Sequence, residues 1–204
     1  MARPIVLSNG EFHVGIDRFG LVHDFYYPYV GLENHAAAGG MRHKIGIWVD
    51  GEFSWLDDGS WQIEMNYMYE SLIGSTKARN DRLQITLEFE DCVDSQQAAF
   101  MRNIHVINTA PTPRNVRIFL HQVFLISNSL NGGTVQYLPG EPAMLHYKGR
   151  RAFMIGAEHV GSKLPFDQFS CGLYGQEGHE GTFKDAEDGH LSSNYVEHGR
   201  VDHN

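Results

Sequence analysis

Hydrophobic residues recur with a period of two along much of this chain, and that spacing restricts the fold more than any other feature. From Arg82 to Glu90 the residues run Arg-Leu-Gln-Ile-Thr-Leu-Glu-Phe-Glu. Successive side chains of an extended strand point to opposite faces, so Leu83, Ile85, Leu87 and Phe89 share one face and polar groups take the other. A helix would scatter these four around its circumference. The same alternation sets Val116, Ile118, Leu120, Gln122 and Phe124 against Arg117, Phe119, His121 and Val123. There the second set is also partly apolar, which predicts a strand covered on both faces or lying near a partner domain.

Turn chemistry divides the remaining sequence. Asn9-Gly10 separates strands over 4–7 and 12–17, Asp50-Gly51 separates 45–49 and 52–56, and Asp58-Gly59 precedes a strand over 61–68. Such dipeptides accept the positive φ angles that tight hairpins require. Further strands are predicted over 72–79, 83–91, 100–108, 116–127, 134–137, 144–148, 152–158 and 168–174. Roughly a dozen short strands at near-regular spacing indicate an all-β sandwich or barrel. Only 95–101 has the makings of a helical turn or two. The 22 glycines suit many tight turns, and no linker divides the chain, so residues 1–204 are read as one domain.

Charge excludes some partners. With 16 basic against 25 acidic residues the net charge is −9, which disfavours nucleic acid and anionic membrane surfaces and leaves neutral ligands such as sugars open. The excess is concentrated in residues 174–204, which carry seven acids and two bases. No run approaches the ~20 apolar residues of a membrane span, and the first ten residues lack the apolar segment of a signal peptide, so a cytoplasmic location is expected. Cys92 and Cys171 are able to pair, but nothing in their spacing requires it.

Chemistry-bearing residues are abundant only near the C-terminus. His179, His190, His198 and His203 stand among Glu180, Asp185, Glu187, Asp188 and Asp202, but without any fixed metal-ligand spacing, and no cofactor motif occurs. Glu180 and Glu187 are conceivable as the two carboxyl groups of a glycosidase. Two acids near each other mean little in so acidic a chain, so no catalytic residue is assigned. The aromatic run Asp24-Phe25-Tyr26-Tyr27-Pro28-Tyr29 and the tryptophans Trp48, Trp55 and Trp61 fit sandwich-core packing better than sugar stacking. From Gly175 to Asn204 the periodicity fades, and a long loop ordered by a partner is expected there.

Several stretches in order resemble the opening of prokaryotic glycoside hydrolase family 15 enzymes, the glucoamylase and glucodextranase relatives. They include Leu7-Ser-Asn-Gly10, Val14-Gly-Ile-Asp17, Gly20-Leu-Val-His-Asp-Phe-Tyr-Tyr-Pro28 and Val30-Gly-Leu-Glu-Asn-His35. The likeness continues through Arg117–Phe124, Met144–Gly149, Gly181-Thr-Phe-Lys-Asp-Ala-Glu-Asp-Gly189 and Glu197-His-Gly199. The resemblance implies an antiparallel two-layer super-sandwich, with almost no helix, at the N-terminal end of an enzyme that hydrolyses α-glucosidic bonds with inversion. It also implies that the catalytic glutamates sit in a C-terminal (α/α)-barrel absent from this sequence, and that the match stops before the sandwich is complete. The expected role is therefore non-catalytic: supporting and shaping that barrel, the implied partner. Lys184, Asp185, Glu187 and Asp188 are the candidates for interdomain or pocket-edge contacts, made with the barrel or with another copy of the chain. The competing expectation is an independent module that binds α-glucan through exposed aromatics.

Overall fold

The computed structural model describes residues 3–36, 43–129, 131–160 and 166–204. Sixteen strands among them form four antiparallel sheets. The first sheet holds β1 (Ile5–Ser8), β2 (His13–Ile16) and β3 (Val22–Tyr26). A second contains β6 (Gln62–Tyr67), β7 (Gly74–Asn80), β8 (Ile85–Val93) and β9 (Phe100–Asn108) in chain order. At the centre is a five-stranded sheet of order β14-β16-β10-β4-β5, made from Cys171–Leu173, Val201–His203, Val116–Val123, Lys44–Val49 and Glu52–Trp55. The fourth has the order β13-β12-β11-β15, from Arg151–Ile155, Ala143–Lys148, Gly133–Leu138 and Val196–Gly199. The only α-helical turn among the described residues is α1 (Thr182–Asp185), and none of their helices is long and apolar enough to cross a membrane.

The expected alternation accounts for the main core. Ile85, Leu87 and Phe89 of β8, with Leu83 just before it, are buried on one face, where they meet Ile45, Ile47 and Val49 of β4. Burying each such side chain contributes about 1.5–3 kcal/mol, so this interface dominates the apolar stabilisation of that half. On the opposite face of β8, Glu88 lies in register with Lys77 of β7 and pairs with it at 2.8 Å. Strand β10 is a central strand covered on both faces. Val116, Ile118 and Leu120 pack toward the β6–β9 sheet, and Phe119 packs on the other side. The far end of the central sheet packs differently: Cys171 of β14 and Val201 of β16 meet Val135 and Met144 of β11 and β12.

Local turn chemistry acts as expected at Asp50-Gly51. These residues have φ of 48° and 101° and join Val49 to its register partner Glu52, the positive-φ pair that a two-residue hairpin demands. Three expectations are corrected. Backbone pairing yields four sheets, not two continuous layers. Residues 95–101 form no helix: they hold the β8–β9 hairpin connection, in which Val93 pairs with Phe100 and the Asp94 N–H donates to the Ala99 carbonyl at 2.9 Å, so the chain returns into β9 before a helical turn is complete.

The third correction concerns 175–204, where a long loop ordered by a partner is expected. It contains α1, a 3-10 turn (Ala186–Asp188), β15 and β16. Strand β15 pairs with β11, and β16 lies between β10 and β14. Beyond β16, Asn204 exchanges two backbone hydrogen bonds with Ser170, at 2.8 and 3.0 Å. The segment is ordered against strands of its own chain. Neither cysteine is paired, and burial pushes the Cys171 thiol up to about 12.

Candidate functional site

The stretch Gly181–Gly189 is a short plug docked on the outer face of the central sheet. Ala186 is fully buried against Trp55 and Phe119, flanked by Trp48, Phe53, Phe183 and Leu191. The Trp55 indole Nε1 donates to Glu187 Oε1 at 3.2 Å. The Arg117 guanidinium lies 4.7 Å over the Trp48 ring and donates to the Gly189 carbonyl at 2.6 Å. The glycines that bound the stretch have steric reasons. Gly189 adopts φ +89°, and a Cβ there would sit 2.7 Å from Trp48 Nε1. Gly181 adopts φ +143°, and a Cβ would sit 2.6 Å from Asp202 Oδ2. Only glycine combines these backbone angles with such close approach.

Asp202 anchors the plug from below. Fully buried on β16, its Oδ2 accepts the Thr182 backbone N–H at 2.8 Å and pairs with His121 Nε2 at 2.8 Å. A buried carboxylate needs such partners, since an unbonded one would carry a large desolvation cost.

The four residues expected to make interdomain or pocket-edge contacts are brought together in this plug, and each is bonded within it or to the residues that directly follow it. Lys184 pairs with Glu187 at 3.1 Å, and that hydrogen bond holds its ammonium pKa above the ordinary value. Asp185 Oδ2 accepts the Ser192 backbone N–H at 2.7 Å, and Asp188 Oδ1 accepts that of His190 at 2.8 Å. Lys184 and Asp185 also line a cleft of ≈ 400 Å³ whose other walls include Ser170, Gly172, Thr182, Ser192, Asn194 and Glu197. Glu187 and Asp188 do not reach it. That volume lies within the range of small-molecule sites. Much of its polar lining is already engaged: Ser170 and Ser192 hydroxyls share a hydrogen bond at 2.7 Å, and Asn194 donates to the Cys171 carbonyl at 2.7 Å.

Glu180 lines the cleft, whereas Glu187 turns away to Trp55 and Lys184. The two carboxylates therefore do not face one shared space, as a glycosidase pair must. Among the described residues no group of three His, Cys, Asp or Glu side chains is placed to hold a metal. Trp55 and Trp61 are buried, Trp48 packs beside Trp55, and Phe25 and Tyr27 pack against the cores. This is the core role expected of them, whereas Tyr29, at the end of the same aromatic run, is exposed.

Sequence reasoning missed the polar interior. His43, His121, His146 and His203 are all buried, three of them with rings around Phe124: His43 at 4.9 Å, His146 at 5.2 Å and His203 at 6.4 Å between centroids. Burial lowers the pKa of His43 and of His146 to about 3 and pushes that of His203 well below the ordinary value. The only signal in the sequence was an unusual supply of histidine, 12 in all.

No family model matches the chain. An uncharacterized glycosyl hydrolase of Methanocaldococcus jannaschii is 23% identical over 167 residues, which cover 82% of this chain and 25% of that protein. A bacterial glucoamylase, solved as a complex with acarbose, superposes with a TM-score of 0.78 at 12% identity, over 99% of this chain and 29% of that one. The chain thus spans about a quarter of the curated relative's length, and its fold matches under a third of the glucoamylase chain.

Proposed function

We propose that this chain is the non-catalytic N-terminal β domain of a glucoamylase-like glycoside hydrolase. The observation that carries this reading is the asymmetry of coverage: nearly all of this chain, but only 29% of the glucoamylase, takes part in the superposition. The residue stretches that resemble family 15 supply the finer assignment. In it, a separate (α/α)-barrel hydrolyses α-glucosidic bonds with inversion, and this domain supports and shapes it. The plug supplies Lys184, Asp185, Glu187 and Asp188 as interdomain or pocket-edge contacts. In this role its internal bonding matters, because a rigid surface loses less entropy on docking.

The lack of a shared cleft for Glu180 and Glu187 supports the non-catalytic assignment. The test is an assay of the pure chain on maltooligosaccharides and isomaltooligosaccharides. No release of glucose is expected. Turnover that disappears in Glu180→Gln would overturn the proposal and make the cleft an active site.

A further inference from the structure

Strand β16 is three residues long and buried throughout. Its alternation sends Asp202 and His203 to opposite sides of the central sheet. On one side Asp202 meets His121 of β10 and the N-terminus of the plug. On the other side His203 lies 5.8 Å from the His146 ring of β12 and stacks on Phe124, which also touches His43 at the start of β4. The two sides differ in charge balance. Asp202 provides a carboxylate for His121. The charged or titratable groups that bear on His43, His146 and His203 are each other, His121, and Arg102 of β9, which is itself paired with Asp91. His43 Nε2 donates to the Val123 carbonyl at 3.1 Å and His203 Nε2 to Gln122 Oε1 at 3.2 Å. Nδ1 of His146 and of His203 meets no acceptor among the described residues. A proton added there would place a charge in the core with no hydrogen-bond partner and like charges nearby.

We propose that His43, His146 and His203 form an acid-sensitive latch: their protonation releases β16 from β10 and β14, and with it the Asp202 anchor of the plug, while the β6–β9 sheet stays folded. The partition follows from the packing, since β16 contributes to the β11/β12 core and not to the β8/β4 core. The sign is set by burial. All three imidazoles have folded-state pKa values below the ordinary 6.5, so the opened state takes up the protons. The latch is therefore fully closed above pH 6.5 and weakens as pH falls from there toward 3.

Hydrogen exchange on the whole chain, corrected for intrinsic rates and followed from about pH 7.5 to about pH 5, tests this without any variant. Below pH 6.5 the opening constant of residues 170–173 and 200–204 is expected to rise by up to ~10-fold per pH unit for each titrating imidazole, hence up to ~1,000-fold per pH unit for three, while 74–93 stays protected. Opening of 170–204 that is independent of pH, or that occurs in step with 74–93, would overturn the proposal. Replacing His146 by Phe, or by Gln where Phe does not fold, is expected to reduce the slope by one decade per pH unit. A merely structural histidine would change the opening constant and leave the slope intact, and an unchanged slope would also overturn the assignment.

Discussion

The two ends of the central sheet bury themselves by different chemistry. At the β4 end, Ile45, Ile47 and Val49 face Ile85, Leu87 and Phe89, an interface of hydrocarbon that any shape-matched set of apolar residues would satisfy. At the β16 end, Asp202, His203, His121, His146 and Thr182 are buried together with apolar side chains such as Val135, Met144, Val201 and Phe124. Some of these polar groups have partners, as Asp202 has in His121 and the Thr182 N–H, and others have none among the described residues, as Nδ1 of His146 and of His203; a buried group left without one costs about 1–3 kcal/mol. The first interface is robust and insensitive to pH. The second is specific, and its stability is tied to protonation.

The comparison is broken most directly by one substitution at each end. Phe89→Ala should cost about 3–5 kcal/mol of global stability through lost burial and the cavity left behind, read by urea denaturation with equal effect at neutral and mildly acidic pH. Asp202→Ala should cost about 2–4 kcal/mol by stranding the Thr182 N–H and the His121 ring. Its loss should show as exchange in 170–204 and hardly at all in 74–93. Equal loss in both regions would mean that the two ends form one cooperative unit. The two cysteines report on the ends chemically. With its thiol raised from 9.0 to about 12, Cys171 should be alkylated roughly 1,000-fold more slowly than an ordinary thiol near neutral pH. Opening of the β16 end should remove that protection at Cys171, whereas Cys92, half-buried on β8, should show no such change.

The same contrast explains what could be read from the sequence. Strand β8 was legible because Leu83, Ile85, Leu87 and Phe89 announce their face by spacing alone, and the β4–β5 hairpin because Asp50-Gly51 states its turn type locally. Strand β16 was not, because its burial rests on His121, Gln122 and Cys171, which are distant in sequence. A Val-Asp-His triplet has no apolar period to detect. The helix expected over 95–101 is overridden by the pairing of β8 with β9, which returns the chain from Val93 to Phe100. In the candidate site, the Gly181–Gly189 stretch was singled out by resemblance. Its rationale in the fold, glycines pressed on Trp48 and Asp202, is visible only once β4 and β16 are in place.

Gly189→Ala tests the docking of the plug at intermediate magnitude. A Cβ at φ +89° and 2.7 Å from Trp48 Nε1 combines backbone strain with overpacking, for an expected loss of about 1–3 kcal/mol. Denaturation monitored by tryptophan fluorescence should also report a changed Trp48 environment in the folded baseline. A variant as stable as the parent would show that the plug is loosely seated.

The smallest effects belong to the plug's charged surface. Glu187→Ala removes the acceptor for Trp55 Nε1 as well as the partner of Lys184, and should cost about 0.5–1 kcal/mol. Glu187→Gln keeps an acceptor for the indole and should recover most of that loss. Lys184 lies on the solvent side of the pair, where water and salt screen the attraction and its long side chain loses entropy in being held. Lys184→Ala should therefore leave the denaturation midpoint of the chain where it is, at low and at high salt. If the midpoint falls with Lys184→Ala as far as with Glu187→Ala, the ion pair rather than the Trp55 bond secures this end of the plug. The central sheet would then owe part of its outer face to surface charge, contrary to the division drawn between its two ends.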